Sequence, residues 1–426
     1  MMAGVFFYII LGILLLDYLV ERILDWLNST YWSDRLPEEL EGIYDQEKYS
    51  RSQRYERIKQ KFSLILSTLT FLIMLVMLMA GGFGWVDAGI RHFTNHPIPA
   101  ALLFFGILGL GSSLLSMPFL VYHVFVIEEK FGFNRTTVKT FILDHIKGLL
   151  LSIVLGGGLI SLIIFIYEST GNWFWLIVWG VMTFFMIFIS MFYSNLIVPL
   201  FNKQTPLDPG PLRDAIEMFA TKVGFKLKNI YIIDGSKRSK KANAYFTGLG
   251  MKKRIVLYDT LIQDHTVEEL VAILAHEIGH YKKKHTLMGI LLSTLQTGIM
   301  LFILSLFIRK DSALANSLCQ ALSGLSGIAI KQSFHIGVLA FGLLYSPLSF
   351  FIGLVMNRIS RKHEYAADRF AGLQYDPVAL MNALKKLSVN NLSNLRPHPA
   401  YVFFYYSHPT LLQRLKALEK FVTRNV

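Results

Sequence analysis

The chain is expected to be mainly α-helical: a polytopic membrane protein with seven transmembrane helices and a smaller cytoplasmic α+β domain. Three observations lead there. Of the 426 residues, 53% are hydrophobic and only 17% charged, too little polar surface for a water-soluble protein of this size. The apolar residues are gathered into long runs. The loops between those runs are alternately rich and poor in Lys and Arg. A disulfide scaffold is excluded because Cys319 is the sole cysteine and has no partner within the chain.

A hydrocarbon core about 30 Å thick is crossed by roughly 20 helical residues. The runs that meet or approach this length are Val5–Val20, Phe62–Met79, Ala100–Ile127, Gly148–Tyr167, Trp173–Phe201, Leu287–Ile308 and Phe334–Met356. The first contains no Lys or Arg before its apolar stretch and no small-residue cleavage site after it, so it is a spanning helix and not a cleaved signal. Residues 311–330 are broken by Ser, Asn, Gln and Gly and predict a loop or a short interfacial helix. Asp17, His123 and Asn195 lie in or near spans; Asp17 is expected to reach the interface and the other two to form interhelical hydrogen bonds.

Loop 27–61 carries Arg35, Lys48, Arg51, Arg54, Arg57, Lys59 and Lys61, whereas loop 81–99 has only Arg91. The third loop is basic again, loop 168–172 has no cation, and 202–286 is densely basic. This alternation places the N-terminus outside and the C-terminus in the cytoplasm. The net charge of +13 then reflects cytoplasmic loops beside anionic headgroups. No nucleic-acid motif accompanies it, so no nucleic-acid partner is expected.

The organisation that follows is 1–201 (spans one to five), 202–286 (first part of a cytoplasmic domain), 287–356 (spans six and seven) and 357–426 (its second part). In 202–286, Pro206, Pro209 and Pro211 mark a turn and Leu212–Val223 has helical spacing. Asn229–Ile233 predicts a strand, and Asn243–Thr247 with Arg254–Tyr258 a hairpin through Gly248 and Gly250. The cations Lys237 to Lys241 are expected to form a solvated loop. Thr266 and Glu269 form a capping box that opens a helix over Val267–Tyr281.

That helix contains His276-Glu277-Ile278-Gly279-His280. In an H-E-x-x-H string the two histidines share one helical face and can bind one zinc ion, with the glutamate beside them as general base. Chance alone would give such a string in about one chain in a hundred of this length. A catalytic zinc needs a third protein ligand and an open position. Beyond the seventh span, Arg361, Glu364 and Asp368 fall on one helical face. Glu364 could ligate, while Asp368 and Arg361 could orient the ligands. A solvated charged face is the alternative, and spacing alone does not decide between them.

H-E-x-x-H followed distantly by Arg361-Lys362-His363-Glu364-Tyr365-Ala366-Ala367-Asp368, on a seven-span framework, resembles the Ste24-type membrane zinc metalloproteases of family M48, the CAAX prenyl proteases and their bacterial homologues. The resemblance extends to Ile127-Glu128-Glu129-Lys130-Phe131-Gly132-Phe133-Asn134, to Asn243-Ala244-Tyr245, and to Ser407-His408-Pro409 with Arg414. It implies helices enclosing a chamber and a zincin-like metallopeptidase domain holding one Zn²⁺ per chain. His276, His280 and Glu364 would be the ligands and Glu277 the general base. His408 and Arg414 would stabilise the oxyanion or orient neighbours, and Asn243, Ala244 and Tyr245 would form an edge strand that pairs with extended substrate. The implied activity is hydrolysis of peptide bonds, as in release of the C-terminal tripeptide from prenylated CAAX proteins.

The expected partners are a peptide or protein substrate, prenylated at its C-terminus in the family's eukaryotic members, and the lipid bilayer; a monomer is expected. The competing functions are a membrane-protein quality-control protease without prenyl preference, and a transporter or receptor with a structural zinc. The chain has no dibasic retrieval signal at its end and no long insertion before the zinc helix. These features favour a bacterial inner membrane, with the endoplasmic reticulum as the setting for a eukaryotic enzyme.

Overall fold

A computed structural model describes residues 2–227, 230–247, 254–310, 312–328 and 330–422. Its first half is a set of long helices: α1 (Met2–Ser29), α2 (Gln46–Met79), α3 (Gly82–Arg91), α4 (Pro97–Tyr122), α5 (Val138–Leu151), α6 (Gly158–Thr170), α7 (Phe174–Leu196) and α8 (Val198–Phe201). Among the described residues, six helical runs are long and apolar enough to cross a bilayer, with Val138–Phe201 counted as one. That run is two arms. Gly171 adopts φ +54°, a conformation a side chain would resist, and the chain doubles back there. Ile164, Tyr167, Phe174 and Val178 from the two arms meet in one buried cluster. Counted as two arms, the run brings the crossings to seven.

After α8 come β1 (Gln204–Pro206), α9 (Pro211–Lys222), β2 (Ile230–Ile233), β3 (Ala244–Thr247), β4 (Arg254–Tyr258), α10 (Asp259–Asp264) and α11 (Val267–Lys282). Two further spanning helices, α12 (His285–Phe307) and α14 (Phe334–Gln374), flank α13 (Ala313–Ala321), and the chain ends with α15 (Pro377–Asn390), α16 (Pro399–Tyr405) and α17 (Leu411–Val422). Helix α14 is 41 residues long. Its apolar first part is the seventh candidate span and its polar last part continues into the domain that contains the sheet.

Two of the connecting segments contain helices. In 311–330, expected as a loop or a short interfacial helix, Ser312 caps α13, whose Leu318 and Cys319 are buried with Phe7, Ile10 and Phe83 from α1 and α3. The loop expected over 81–99 contains α3, whose Asp87 lies 2.8 Å from His335 and pairs with Arg91. Within the spans, Asp17 accepts a hydrogen bond from Ser346 of α14. His123 lies 3.8 Å from Glu128 of its own helical run and stacks on Phe62 of α2; among the described residues neither its side chain nor that of Asn195 hydrogen-bonds to another helix.

The four strands form one sheet in the order β1-β2-β4-β3. Strands β2 and β4 run parallel, with Ile230 opposite Ile255, and β3 joins β4 antiparallel, with Ala244 opposite Leu257. Strand β3 is therefore an edge. The turn expected through Gly248 and Gly250, and Asn229 at the start of the second strand, lie outside the described residues. One hydrophobic core draws on both segments 202–286 and 357–426, from Leu207, Ile216 and Leu257 to Leu380, Leu411 and Leu418, and on Leu40, Tyr44 and Tyr49 of the first loop. Each fully buried Leu or Ile there contributes about 1.5–3 kcal/mol.

Candidate metal centre

Helix α11 begins with a complete capping box. Thr266 Oγ1 accepts from the Glu269 amide at 3.3 Å, and the Glu269 carboxylate accepts from the Thr266 amide at 3.0 Å. Glu269 also pairs with Lys386 of α15 at 2.8 Å. With Leu270, Val271, Leu274 and Ile278 buried in the core, helical periodicity turns His276 and His280 toward α14. Glycine at 279 allows a close approach: a Cβ there would lie 3.2 Å from the backbone of Ala367. This contact brings Glu364 on α14 opposite the two imidazoles.

His276 Nε2 lies 3.1 Å from His280 Nε2. Glu364 Oε2 is 3.4 Å from the former and Oε1 3.3 Å from the latter. Bonds of about 2.0–2.1 Å from a tetrahedral cation give donor–donor separations of roughly 3.3–3.4 Å, close to those found. Glu364 is 5% exposed, and its buried Oε2, 3.7 Å from Arg414 Nη1, has no hydrogen-bond partner. Leaving such a group unsatisfied is costly. Two imidazoles and a carboxylate converging on one point suit a divalent cation. Among the described residues the converging cluster is His276, His280 and Glu364; His408 is outside it.

The far sides of the ligands are fixed. His276 Nδ1 is 2.8 Å from Asp368 Oδ1, which selects the tautomer leaving Nε2 for a cation. Arg414 grips Asp368 with Nε at 2.9 Å and Nη2 at 2.6 Å, a two-point pairing that fixes the carboxylate's plane. Its Nη2 also comes within 3.4 Å of His276 Nδ1. Because Nδ1 donates its proton to Asp368, that approach is packing and not a hydrogen bond. Burial opposes charge on His276, but its contacts with Asp368 and Glu364 prevail and raise its pKa to about 9. Burial likewise opposes charge on Arg414, and the Asp368 and Glu364 carboxylates more than restore it.

Glu277 points into a cavity of roughly 570 Å³ also lined by His276, His280, His408, Arg414 and the Asn243-Ala244-Tyr245 stretch. Glu277 has no hydrogen-bond partner among the described residues. His408 is 62% exposed, with Nε2 3.3 Å from Glu364 Oε1 and Nδ1 held by Ser407 at 2.9 Å. Arg361 is a correction. It shares the Glu364 face in sequence, yet it touches no ligand side chain; it donates to the carbonyls of Val402, Phe403 and Tyr406 at the end of α16. It thereby holds the segment that leads to His408. The solvated loop expected over 237–241 is a second correction: Arg238 pairs with Asp144 at 2.7 Å and Lys241 with Glu128 at 2.7 Å.

Two histidines escaped the sequence analysis. His285 Nδ1 lies 3.0 Å from His280 Nδ1, in the position that Asp368 takes for His276. The ring of His285 stacks on His363 at 3.9 Å with planes 7° apart. The available signal was placement: His285 follows His280 by five residues and His363 adjoins Glu364.

Comparison with known proteins agrees with this geometry. Residues 27–203 match the family described as CAAX prenyl protease N-terminal, five membrane helices, and residues 206–422 match peptidase family M48. The chain is 37% identical over 423 residues to CAAX prenyl protease 1 of Saccharomyces cerevisiae, covering 95% of this chain and 92% of that one. Identity to the CAAX prenyl protease 1 homolog of Oryza sativa subsp. japonica is also 37%, with 96% of each covered. The crystal structure of S. mikatae Ste24p superposes with a TM-score of 0.90 at 35% identity, covering 97% of this chain and 99% of the other.

Proposed function

The chain belongs to the CAAX prenyl protease branch of peptidase family M48 and is a membrane metallopeptidase; from that premise we propose that it binds one zinc ion through His276, His280 and Glu364 and cleaves the C-terminal tripeptide from prenylated CAAX substrates. The observation that carries this reading is the buried Glu364 carboxylate facing both imidazoles, Oε2 3.4 Å from His276 Nε2 and Oε1 3.3 Å from His280 Nε2, with no hydrogen bond to Oε2. Zinc held there would acidify water and polarise the scissile carbonyl.

The chain's own residues have separate tasks. Glu277 accepts a proton from the attacking water and returns it to the leaving amine. His408 presents Nε2 to the developing oxyanion, and its exposure leaves it free to adjust to substrate. Arg414 and Asp368 act through His276 by holding its ring, and Arg361 holds the chain before His408. The open edge of β3 at Asn243, Ala244 and Tyr245 pairs with extended peptide, and the cavity between that edge and α11 shields it from bulk water.

A prenyl group on the substrate gives a reason for the site to sit where α12 and α14 enter the bilayer. We place the N-terminus outside and the catalytic domain in the cytoplasm, from the distribution of Lys and Arg among the loops, with the chain acting as a monomer. A bacterial inner membrane and the endoplasmic reticulum are both compatible with this topology, and fractionation of the native host distinguishes them.

The test offers purified protein a farnesylated CAAX peptide and its unmodified counterpart, with and without a chelator. Chelator-sensitive cleavage that prefers the farnesylated peptide is expected. Equal cleavage of both would replace the prenyl-specific function with general membrane-protein proteolysis. Cleavage that survives metal removal would overturn the assignment of the centre.

A further inference from the structure

The run Ile127–Asn134 has no part in this chemistry, yet it contains a carboxylate as well engaged as any in the protein. Glu128 is 9% exposed and closes a π-helical turn, His123–Glu128, at the end of α4. Such turns recur at functional sites. One oxygen of Glu128 accepts from the Tyr55 hydroxyl of α2, and the other lies 2.7 Å from Lys241 Nζ. Lys241 also donates to Tyr55 at 2.8 Å, and its ammonium lies 4.5 Å from the centre of the Phe133 ring.

Lys241 stands just before Asn243, where the edge strand starts, and the backbone around it is held from several directions. Thr260 Oγ1 donates to the Lys241 carbonyl at 3.2 Å. Asn391, at the end of α15, accepts from the Ala242 amide at 3.3 Å and donates to its carbonyl at 3.4 Å. Upstream, Asn134 and Ser239 form a β-bridge, and Lys240 N donates to Phe133 O at 3.0 Å. Elements α2, α4 and α15 thus converge on the residues that launch β3. Lys241 also lines a second cavity of about 430 Å³, which shares Leu384, Leu387, His408 and Arg414 with the first.

We propose that Glu128, Lys241 and Tyr55 form a latch that sets the position of the substrate-pairing edge of β3 relative to the metal centre, making them positioning residues for peptide binding. This rests on the reading of β3 as the strand that pairs with substrate. The metal ligands sit on α11 and α14, which the latch does not touch. Disturbing the latch therefore separates two properties: substrate binding weakens while the metal stays in place.

The test uses full-length protein. Removing Lys241 alone would leave the buried Glu128 carboxylate unpaired, so E128Q/K241M removes both charges, and Y55F deletes a single hydroxyl. The double variant is expected to retain its zinc and its Tm while KM rises about tenfold and kcat stays within about twofold; Y55F is expected to raise KM about threefold. Restoring charge as E128/K241R should return KM toward the wild-type value. Wild-type KM in both Y55F and the double variant, or a loss of kcat and zinc with KM unchanged, overturns the latch. Should the double variant not fold, the KM of Y55F decides alone. The proposed function fails separately, if wild-type protein shows no chelator-sensitive cleavage.

Discussion

Gly279 lies directly against Ala367, with so little space that a Cβ at 279 would sit 3.2 Å from both the Cα and the carbonyl oxygen of Ala367. Backbone lies on the far side of the gap, so no rotamer change relieves the clash. G279A is expected to push α11 from α14 and separate the histidines from Glu364. A stability loss of about 1–3 kcal/mol is expected from overpacking, together with lost zinc. Differential scanning fluorimetry and metal analysis on the purified variant measure both; full zinc content in G279A would show that the contact does not set the ligand spacing.

Glu277 lines the cavity without contributing to the three-donor cluster. E277Q keeps the shape and removes the proton acceptor. Zinc content should stay at the wild-type level while kcat falls about 10²–10⁴-fold. A variant that turns over peptide at near the wild-type rate would exclude Glu277 as the base.

The outer partners of the two imidazoles differ, a carboxylate for His276 and a neutral ring for His280. D368N should weaken zinc binding about 10–100-fold, and it also strips Arg414 of its two-point partner. H285A removes the acceptor beside His280 Nδ1 and the stack on His363 but no charge, and should have the smaller effect. Competition with a chromophoric chelator ranks the two variants, and a larger loss in H285A would reverse the assigned importance.

Metal uptake should release a proton. With its pKa raised to about 9, His276 in the metal-free protein is protonated at neutral pH, whereas a ligand imidazole must offer a lone pair. Acidification below that pKa therefore favours the metal-free form, and apparent zinc affinity should fall about tenfold or more per unit between about pH 8 and pH 6. Titration against a calibrated chelator across that range measures the slope; a flat profile would show that no proton is exchanged.

The sequence made some of this visible and hid the rest for a physical reason. Spans and the H-E-x-x-H face are local patterns, written within one or two helical turns or one apolar run. Glu364 and Asp368 were legible as a helical face but acquired their meaning only from a family resemblance. Arg361 shared that face and went elsewhere, because its long side chain reached the free carbonyls at the end of α16. Lys241 looked like one cation of a solvated run, and its carboxylate partner lies 113 residues earlier. Helix α3 was missed, and α13 was left open between a loop and a short helix, because each is only about ten residues long and packs into a cluster around Phe7 and Leu318 drawn from distant parts of the chain.

Helix α14 runs from the cluster around Phe7 and Leu318 past the third metal ligand as one helix, with Pro347 inside it. At 1.5 Å per residue, its 41 residues make a rod roughly 60 Å long, about twice the thickness of the hydrocarbon layer. Its apolar first part is long enough to cross that layer, and the polar remainder carries Glu364 about ten residues before its end. A bilayer that is too thick or too thin forces embedded helices to tilt, and a tilt at one end of a stiff lever is a displacement at the other. Turnover in reconstituted vesicles is therefore expected to vary with the acyl-chain length of the surrounding phospholipids.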